Sequence, residues 1–470
     1  MSRPAARSTK IVCTIGPASA DADTIEQLAW AGMDAARLNF SHGTHDTHMA
    51  SVQGVRRAQE LIGGPLAVIA DLQGPKIRIG SLQAPVSLQP GGTLTLAAPG
   101  RGGPGDLEVT FDELAETVRP GNPVLINDGL IRARVVEVQG ARVECRVEVG
   151  GMVTSGKGVN LPGTPISMPS VTPKDADDLA FALEQGVDYI ALSFVRKVDD
   201  VLDLKERVAA AGSSARVIAK IEKGEAIECL DGIVTTADAV MVARGDLGVE
   251  IGVADVPLVQ KQIIAAARDA GCTVITATQM LESMIHQPEP TRAEVSDVAN
   301  AVLDGTSAVM LSGETAAGRY PLEAVSTMNR ICRAVEPSLS YHDVGRARQG
   351  SVAMILAHAA CDIAEDLDAA VIAVPTQEGS TARQVSRFRP RRPILAASRD
   401  PKVLQQLALD WAVVPVVIES AESLEDLWHR TVDAAEQSGL AGRGDRVVLA
   451  GGRRINEPGT TDHLVVLVVE

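Results

Sequence analysis

The sequence predicts an α/β chain: a (β/α)8 (TIM) barrel carrying an inserted small β-barrel lid domain, followed by an open C-terminal α/β domain. Three observations predict it. Short apolar, β-branched runs recur with helix-period segments between them. These runs stop abruptly at charged or hydroxyl residues, as buried parallel strands do on reaching their mouth. The rhythm breaks once, between residues 73 and 170, where Gly, Pro and Val rise and alternation replaces continuous apolarity.

In chain order, residues 11–16, 35–41 and 66–72 read as the first three strands, with helices near 23–31 and 46–61 between them. The insert follows at 73–170, where 135–149 has the period-two pattern of half-buried antiparallel strands. Thr172-Pro173-Lys174 is a capped helix start, and the strand–helix rhythm resumes after it. Strands are expected at 188–195, 216–222, 239–244, 273–278 and 307–312, with a last helix over 321–336. Three strands before the insert and five after it make eight. The barrel is therefore assigned to 1–72 and 171–340, the lid to 73–170 and the C-terminal domain to 341–470. Residues 338–350 are polar and irregular and read as a linker. Beyond them a helix at 351–367 precedes strands at 370–374, 393–397, 413–418, 446–450 and 464–469, with a Gly451-Gly452 turn near the end.

Composition narrows the function classes. Of 470 residues, 45% are hydrophobic and 22% charged, which is ordinary for a globular chain. A net charge of −16 with 2% aromatics argues against nucleic acid as a partner, for want of both phosphate-binding charge and stacking surface. It leaves anionic metabolites open, because a local basic cleft can exist on an acidic surface. The six cysteines (Cys13, Cys145, Cys229, Cys272, Cys332, Cys361) show no C-x-x-C spacing, so neither a disulfide framework nor a zinc site is expected. That usage fits a reducing cytoplasm. The N-terminal stretch lacks the apolar core of a signal peptide, and no apolar run is long enough to span a membrane.

In such barrels chemistry gathers at the C-terminal ends of the strands. Those ends carry Arg37-x-Asn39-x-Ser41-His42, Asp71, Lys220-x-Glu222, Arg244-x-Asp246, Thr278 and Ser312-x-Glu314. Lys220 and Glu222 are two apart, so on an extended strand they point the same way. Carboxylates beside a lysine at strand exits suit Mg²⁺ or Mn²⁺ with a phosphate next to it; a surface salt-bridge cluster is the plainer alternative. No G-x-x-x-x-G-K-[ST], H-R-D or D-F-G occurs, so the common nucleotide-kinase frameworks are absent.

Seven stretches carry a family resemblance: residues 10–19 (KIVCTIGPAS), 37–43 (RLNFSHG), 156–163 (GKGVNLPG), 241–250 (MVARGDLGVE), 277–284 (ATQMLESM), 290–305 and 310–315 (MLSGET). Over nearly its whole length the chain resembles the pyruvate kinase family. The resemblance implies Mg²⁺-dependent transfer of the phosphoryl group of phosphoenolpyruvate to ADP, giving pyruvate and ATP at the last step of glycolysis. It implies Glu222 and Asp246 as metal ligands, Lys220 on the phosphoryl group in flight, Arg37 on the phosphate, and the Gly245 backbone on the substrate carboxylate. Thr278 would lie close to the enolate carbon. Asn39, Phe40, Ser41 and His42, with Arg78 and the lid residue Lys157, would bind the nucleotide. A homotetramer and an allosteric, phosphorylated effector are further implications. A Mg²⁺-dependent enolate lyase and an inactive metabolite-sensing homologue are the alternatives; the latter should have lost Lys220, Glu222, Asp246 or Thr278, and all four are present.

Two departures from the family pattern matter. The usual stretch Asp-Thr-Lys-Gly-Pro-Glu-Ile-Arg reads Asp71-Leu72-Gln73-Gly74-Pro75-Lys76-Ile77-Arg78 here. In members that need K⁺, the cation is held by residues matching Asn39, Ser41, Asp71 and Leu72. Lys76 at the glutamate position changes the local charge by two units and is expected to replace K⁺, so that K⁺ is not required; a solvated lid-hinge lysine is the rival view. In the C-terminal domain, the loop with Thr376, Gly379, Ser380 and Thr381 follows a strand and opens a helix, a natural anion site. Glu378 would repel a phosphate there unless it turns away, so either a different phosphorylated effector, AMP or a hexose monophosphate, or no response to fructose 1,6-bisphosphate is expected. A plain helix N-terminus is the rival reading of that loop.

Overall fold

The computed structural model describes residues 7–339, 350–453 and 461–470. Eight parallel strands close into a barrel: β1 (Lys10–Ile15), β2 (Ala35–Asn39), β3 (Ala67–Asp71), β4 (Tyr189–Leu192), β5 (Arg216–Ile221), β6 (Ala239–Ala243), β7 (Thr273–Ala277) and β8 (Ala308–Leu311). Each pairs with its neighbours in the chain, and β1 closes on β8. The strands are apolar on both faces because one lines the barrel interior and the other meets the helical ring. Val12, Ile69, Tyr189, Ile218, Met241, Ile275 and Met310 fill the interior. The barrel is thus a packed core with no pore.

Local sequence sets the helix starts. Thr44 and Thr172 accept hydrogen bonds from backbone N–H groups of the first turn and complete capping boxes, and Asp21 caps the helix Ala22–Ala31 in the simpler way. Gly63 ends the helix His45–Ile62 in the left-handed conformation, which a side chain would resist.

Between β3 and the helix Pro173–Glu184 the chain forms a β module. It has a six-stranded, mostly antiparallel sheet and a two-stranded ribbon, with its own core around Ile79, Leu96, Phe111, Ile126 and Val147. The alternation expected over 135–149 is the hairpin Ile131–Gln139/Arg142–Val149, turned at Gly140.

The C-terminal residues form a five-stranded sheet with helices on it, in which the last strand, His463–Val468, runs antiparallel. The expected linker lies almost entirely outside the described residues, as does part of the segment after Gly451; Gly451 itself ends the strand Arg446–Gly451.

This unit caps the barrel mouth opposite the strand exits. Ala408 and Leu409 join the barrel's interior core. Around them the Tyr189 hydroxyl donates to the Gln406 carbonyl (2.8 Å), Lys10 Nζ donates to the Val413 carbonyl (2.7 Å), and the Thr273 hydroxyl bonds Asp410. All three barrel residues open strands, so docking occupies one mouth and leaves the other for chemistry.

Each predicted barrel strand is present, and each was expected to run one to three residues further at the exit. The reason is conformational. Phe194 and Thr278 take positive φ (57° and 66°), and Arg244 and Gly313 already start helices. The pleat therefore ends before Glu222, Asp246 and Thr278, while Arg37, Asp71 and Lys220 stay within their strands.

Candidate active site

The strand exits gather four charged side chains into one buried network. Register places Asn39 level with Asp71 and Leu192 level with Ala219, so the next residues, Ser193 and Lys220, also meet. Lys220 is 8% exposed and Asp71 and Glu222 are each 1% exposed. Lys220 Nζ lies 3.0 Å from Glu222 Oε1 and 3.2 Å from Asp71 Oδ1, and donates to the Ser193 hydroxyl at 2.7 Å. Ser193 in turn donates to the Leu72 carbonyl at 2.7 Å. Arg37 Nε donates to Asp71 Oδ2 at 2.6 Å, and its Nη1 to the Thr14 hydroxyl at 3.0 Å. The second Glu222 oxygen accepts from the Phe194 N–H at 2.8 Å.

Charge neighbours set the protonation states. Burial alone would raise the Asp71 pKa, but Lys220 and Arg37 outweigh it and hold the carboxylate below its ordinary range. Burial alone would lower Lys220, but Asp71 and Glu222 outweigh that and keep the ammonium charged. Glu222 is raised: burial is the largest cause, and repulsion by Asp246 overcomes part of the pull of Lys220. Two carboxylates that repel across an open mouth, with water and substrate oxygens to complete a shell, match what a small hard divalent ion takes. Glu222 and Asp246 therefore fit Mg²⁺ or Mn²⁺ as donors.

A second group sits beside this network. The Thr278 hydroxyl accepts from the Gly245 N–H at 2.9 Å and donates to the Ala277 carbonyl at 2.7 Å. That fixes the start of the helix Arg244–Ile251 against the β7 exit. Asp246, in the first turn of that helix, meets Lys76 Nζ at 3.1 Å.

Two predicted residues do other work. The Arg244 guanidinium donates to the Thr278 carbonyl (2.7 Å) and to Asp297 (2.8 Å), bracing the loop after β7. Glu314 is buried and accepts from the backbones of Leu281 and Ser312. Its burial raises its pKa.

The stretch after β2 forms a turn: the Asn39 side chain accepts from the Ser41 N–H (3.2 Å), and the His42 N–H donates to the Asn39 carbonyl (3.1 Å). Phe40 is buried, stacks on His48 at 4.2 Å and donates its N–H to the Asp71 carbonyl. Arg78 and Lys157 lie on the two crossings between barrel and module, which pair through the Arg78–Gly158 bridge and the Ile79 N–H to Lys157 carbonyl bond.

The family models of the pyruvate kinase barrel domain and of its alpha/beta domain match residues 6–325 and 355–467. The chain belongs to the pyruvate kinase family. "Pyruvate kinase 2" of Synechocystis sp. is 44% identical over 473 residues, which cover 99% of this chain and 80% of that protein. "Pyruvate kinase" of Geobacillus stearothermophilus is 42% identical over 472 residues (98% and 80%), and that of Mycobacterium tuberculosis strain H37Rv is 43% identical over 464 residues (97% of each).

The Lys76 ammonium lies 3.1 Å from Asp246 Oδ1, while both Asp71 oxygens face other cations, Arg37 and Lys220. Leu72 is buried and engages through its backbone.

In the C-terminal loop, the Thr376 hydroxyl accepts from the Gly379 N–H (2.9 Å), and Gly379 has φ 79° where the helix Ser380–Ser386 begins. Thr381 pairs with Thr461 at 2.6 Å, and the Glu378 carbonyl accepts from Arg383. Sequence reasoning missed Ser193, which links Lys220 to the Leu72 backbone. It carried the same signal as the others, a polar residue straight after an apolar strand.

Proposed function

We propose that the chain is a pyruvate kinase that moves the phosphoryl group of phosphoenolpyruvate to ADP at the β1–β8 strand exits. The observation that carries this is the Lys220 ammonium, fixed between Asp71 and Glu222 with Asp246 across the mouth, in a chain of this family. Mg²⁺ or Mn²⁺ held by Glu222 and Asp246 supplies charge neutralisation and substrate orientation when bound. Lys220 neutralises charge on the phosphoryl oxygens as the bond to the enol oxygen breaks and the bond to the ADP oxygen forms. That interaction counts most in the transition state. Arg37 grips the phosphate, and the substrate carboxylate takes over the Gly245 N–H at the helix start. Thr278, then released from that N–H, stands by the enolate carbon during protonation. Asn39, Phe40, Ser41, His42, Arg78 and Lys157 hold the nucleotide, and the β module closes as a lid that excludes water.

Lys76 supplies a fixed positive charge to the same cleft, which supports turnover without K⁺. The loop at Thr376, Gly379, Ser380 and Thr381 takes a phosphorylated effector, AMP or a sugar monophosphate, because the Glu378 carboxylate disfavours a bisphosphate. The active form is a cytoplasmic homotetramer; among the described residues no helix is long and apolar enough to cross a membrane, and exposed Val253 and Leu258 offer apolar contact surface.

The test is pyruvate and ATP formation from phosphoenolpyruvate, ADP and Mg²⁺, with and without KCl. ADP-dependent pyruvate release in K⁺-free buffer is expected. Pyruvate release that ignores ADP would indicate a lyase, and large activation by KCl would remove the role of Lys76. Titration with AMP, sugar monophosphates and fructose 1,6-bisphosphate, and light scattering after size exclusion, check the effector and the tetramer.

A further inference from the structure

The contact between Lys76 and Asp246 has no part in the transfer just described, yet it occupies one of the two carboxylates assigned to the metal. We propose that Lys76 is the resident counter-cation of Asp246: a divalent ion enters by displacing its ammonium, so Lys76 sets metal affinity and ties it to the position of the β module. This rests on the reading of Glu222 and Asp246 as metal donors.

Each carboxylate of the repelling pair has its own ammonium, and the two ammoniums are held very differently. Lys220, on Glu222, has an 11% exposed side chain and three partners, Glu222, Asp71 and Ser193. Lys76 and Asp246 have side chains 21% and 26% exposed, and the contact is a single one at 3.1 Å. An ion pair open to solvent is held weakly and is screened by salt, whereas a buried one with satisfied hydrogen bonds is locked. An arriving divalent charge repels both ammoniums, and Lys76 is the one free to yield. Its ammonium already lies 5.9 Å from the Phe194 ring centroid, a face that accepts a cation. Displaced from Asp246, the ammonium stays in the cleft as its fixed monovalent charge.

The backbone around Lys76 makes this a mechanical event. Gly74 has φ 70°, and a Cβ there would come within 2.8 Å of Ser193, so the outgoing crossing passes hard against the β4 exit. The Lys76 stem lies where a Cβ on Gly158, in the returning crossing, would stand 3.0 Å from its Cε. Lys76 is thus wedged between both crossings while its tip holds the helix Arg244–Ile251. That helix is tied to the module a second time at its far end, where Glu250 accepts from Asn160 Nδ2 (3.4 Å) and pairs with Lys223 (2.6 Å). Metal entry breaks the first of these two ties and leaves the second.

The test uses Mn²⁺ as the probe, with free ion counted by its EPR signal, in low salt and without substrate. Lys76→Met is expected to bind Mn²⁺ about 2- to 5-fold tighter than the parent, the range an exposed ion pair can contribute. Lys76→Arg, which keeps the charge, should bind no tighter than the parent. Unchanged or weaker binding by Lys76→Met, with its thermal melt like that of the parent, overturns the proposal. On the unsubstituted protein, saturating Mn²⁺ should speed trypsin cleavage after Lys76; an unchanged rate also overturns it. The parent reading fails differently: Glu222→Gln would then bind Mn²⁺ as the parent does.

Discussion

Replacing Lys220 with methionine separates the two contributions of its ammonium, to the reaction and to the fold. Methionine keeps most of the stem's volume, so packing at this buried position changes little and charge is what is lost. The network of Arg37, Asp71, Lys220 and Glu222 carries two positive and two negative charges, and the substitution leaves one negative charge in excess. Opening a buried ion pair from one side costs on the order of 3–5 kcal/mol. Asp71 keeps its 2.6 Å bond to Arg37 and Glu222 keeps the Phe194 N–H, so the lower part of that range applies. At about 2 °C per kcal/mol for a large domain, the barrel should melt roughly 6–8 °C lower, still well above assay temperature for a protein of ordinary stability. Activity should fall much further. Loss of one preorganised group aimed at developing charge typically lowers kcat by about 10²–10³-fold, and a full ammonium on a phosphoryl group belongs at or beyond the upper end. The measurement is kcat and KM for phosphoenolpyruvate in a coupled assay, beside a melting curve of the same preparation. A variant that melts lower but turns over within a few-fold of the parent would refute the reasoning, because it would make Lys220 a brace for Asp71 and Glu222 and nothing more.

Thr278→Val removes the acceptor of the Gly245 N–H and the hydroxyl beside the proposed reacting carbon, so kcat should drop about 10–100-fold; solvent-isotope uptake into pyruvate follows the protonation step separately. Asp71 has a pKa depressed below its unfolded value, so its stabilisation is present above about pH 4 and is lost as pH falls through the folded value. Acid melting curves of the parent should steepen below about pH 4, and Asp71→Asn should flatten that limb while lowering stability at neutral pH. Asp188 is fully buried at the opposite mouth, where one oxygen accepts from Arg56 (2.8 Å) and the Val68 N–H (2.8 Å) and the other forms an ion pair with Lys402 Nζ at 2.9 Å. Asp188→Asn leaves two cations short of a partner and should destabilise by about 3 kcal/mol without altering kcat, read by melting and by assay at low temperature.

The barrel was legible because its physics is local in sequence. A strand buried on both faces must be apolar throughout, and a capped helix must begin with a residue such as Thr172 or Ser351. Both signals sit within a few neighbouring residues. The strand exits were misjudged for the same reason. Residues 193–195 and 278 read as β-branched or aromatic continuations, but Phe194 and Thr278 adopt left-handed backbone that no propensity favours. Such a conformation is imposed from outside: the Phe194 N–H is held by Glu222, and the Thr278 hydroxyl by Gly245. Neither partner is adjacent in the chain.

The same distinction explains which parts of the site were legible. Lys220 and Glu222 lie two apart at the end of one strand and just past it, so their shared direction follows from the extended backbone, and the structure has them 3.0 Å apart. Lys76 and Asp246 are 170 positions apart, on a module crossing and a barrel helix, so their contact depends on how two separately built units meet. Sequence pattern fixes which residues reach the mouth, whereas competition among charges decides which of them pair. Both Asp71 oxygens face cations, Arg37 on the adjacent strand β2 and Lys220 on β5, and neither oxygen is left to a third cation. Lys76 then settles on Asp246, a carboxylate with no buried cation of its own. The pairing follows from a fixed number of carboxylate oxygens, of which the buried cations hold those of Asp71.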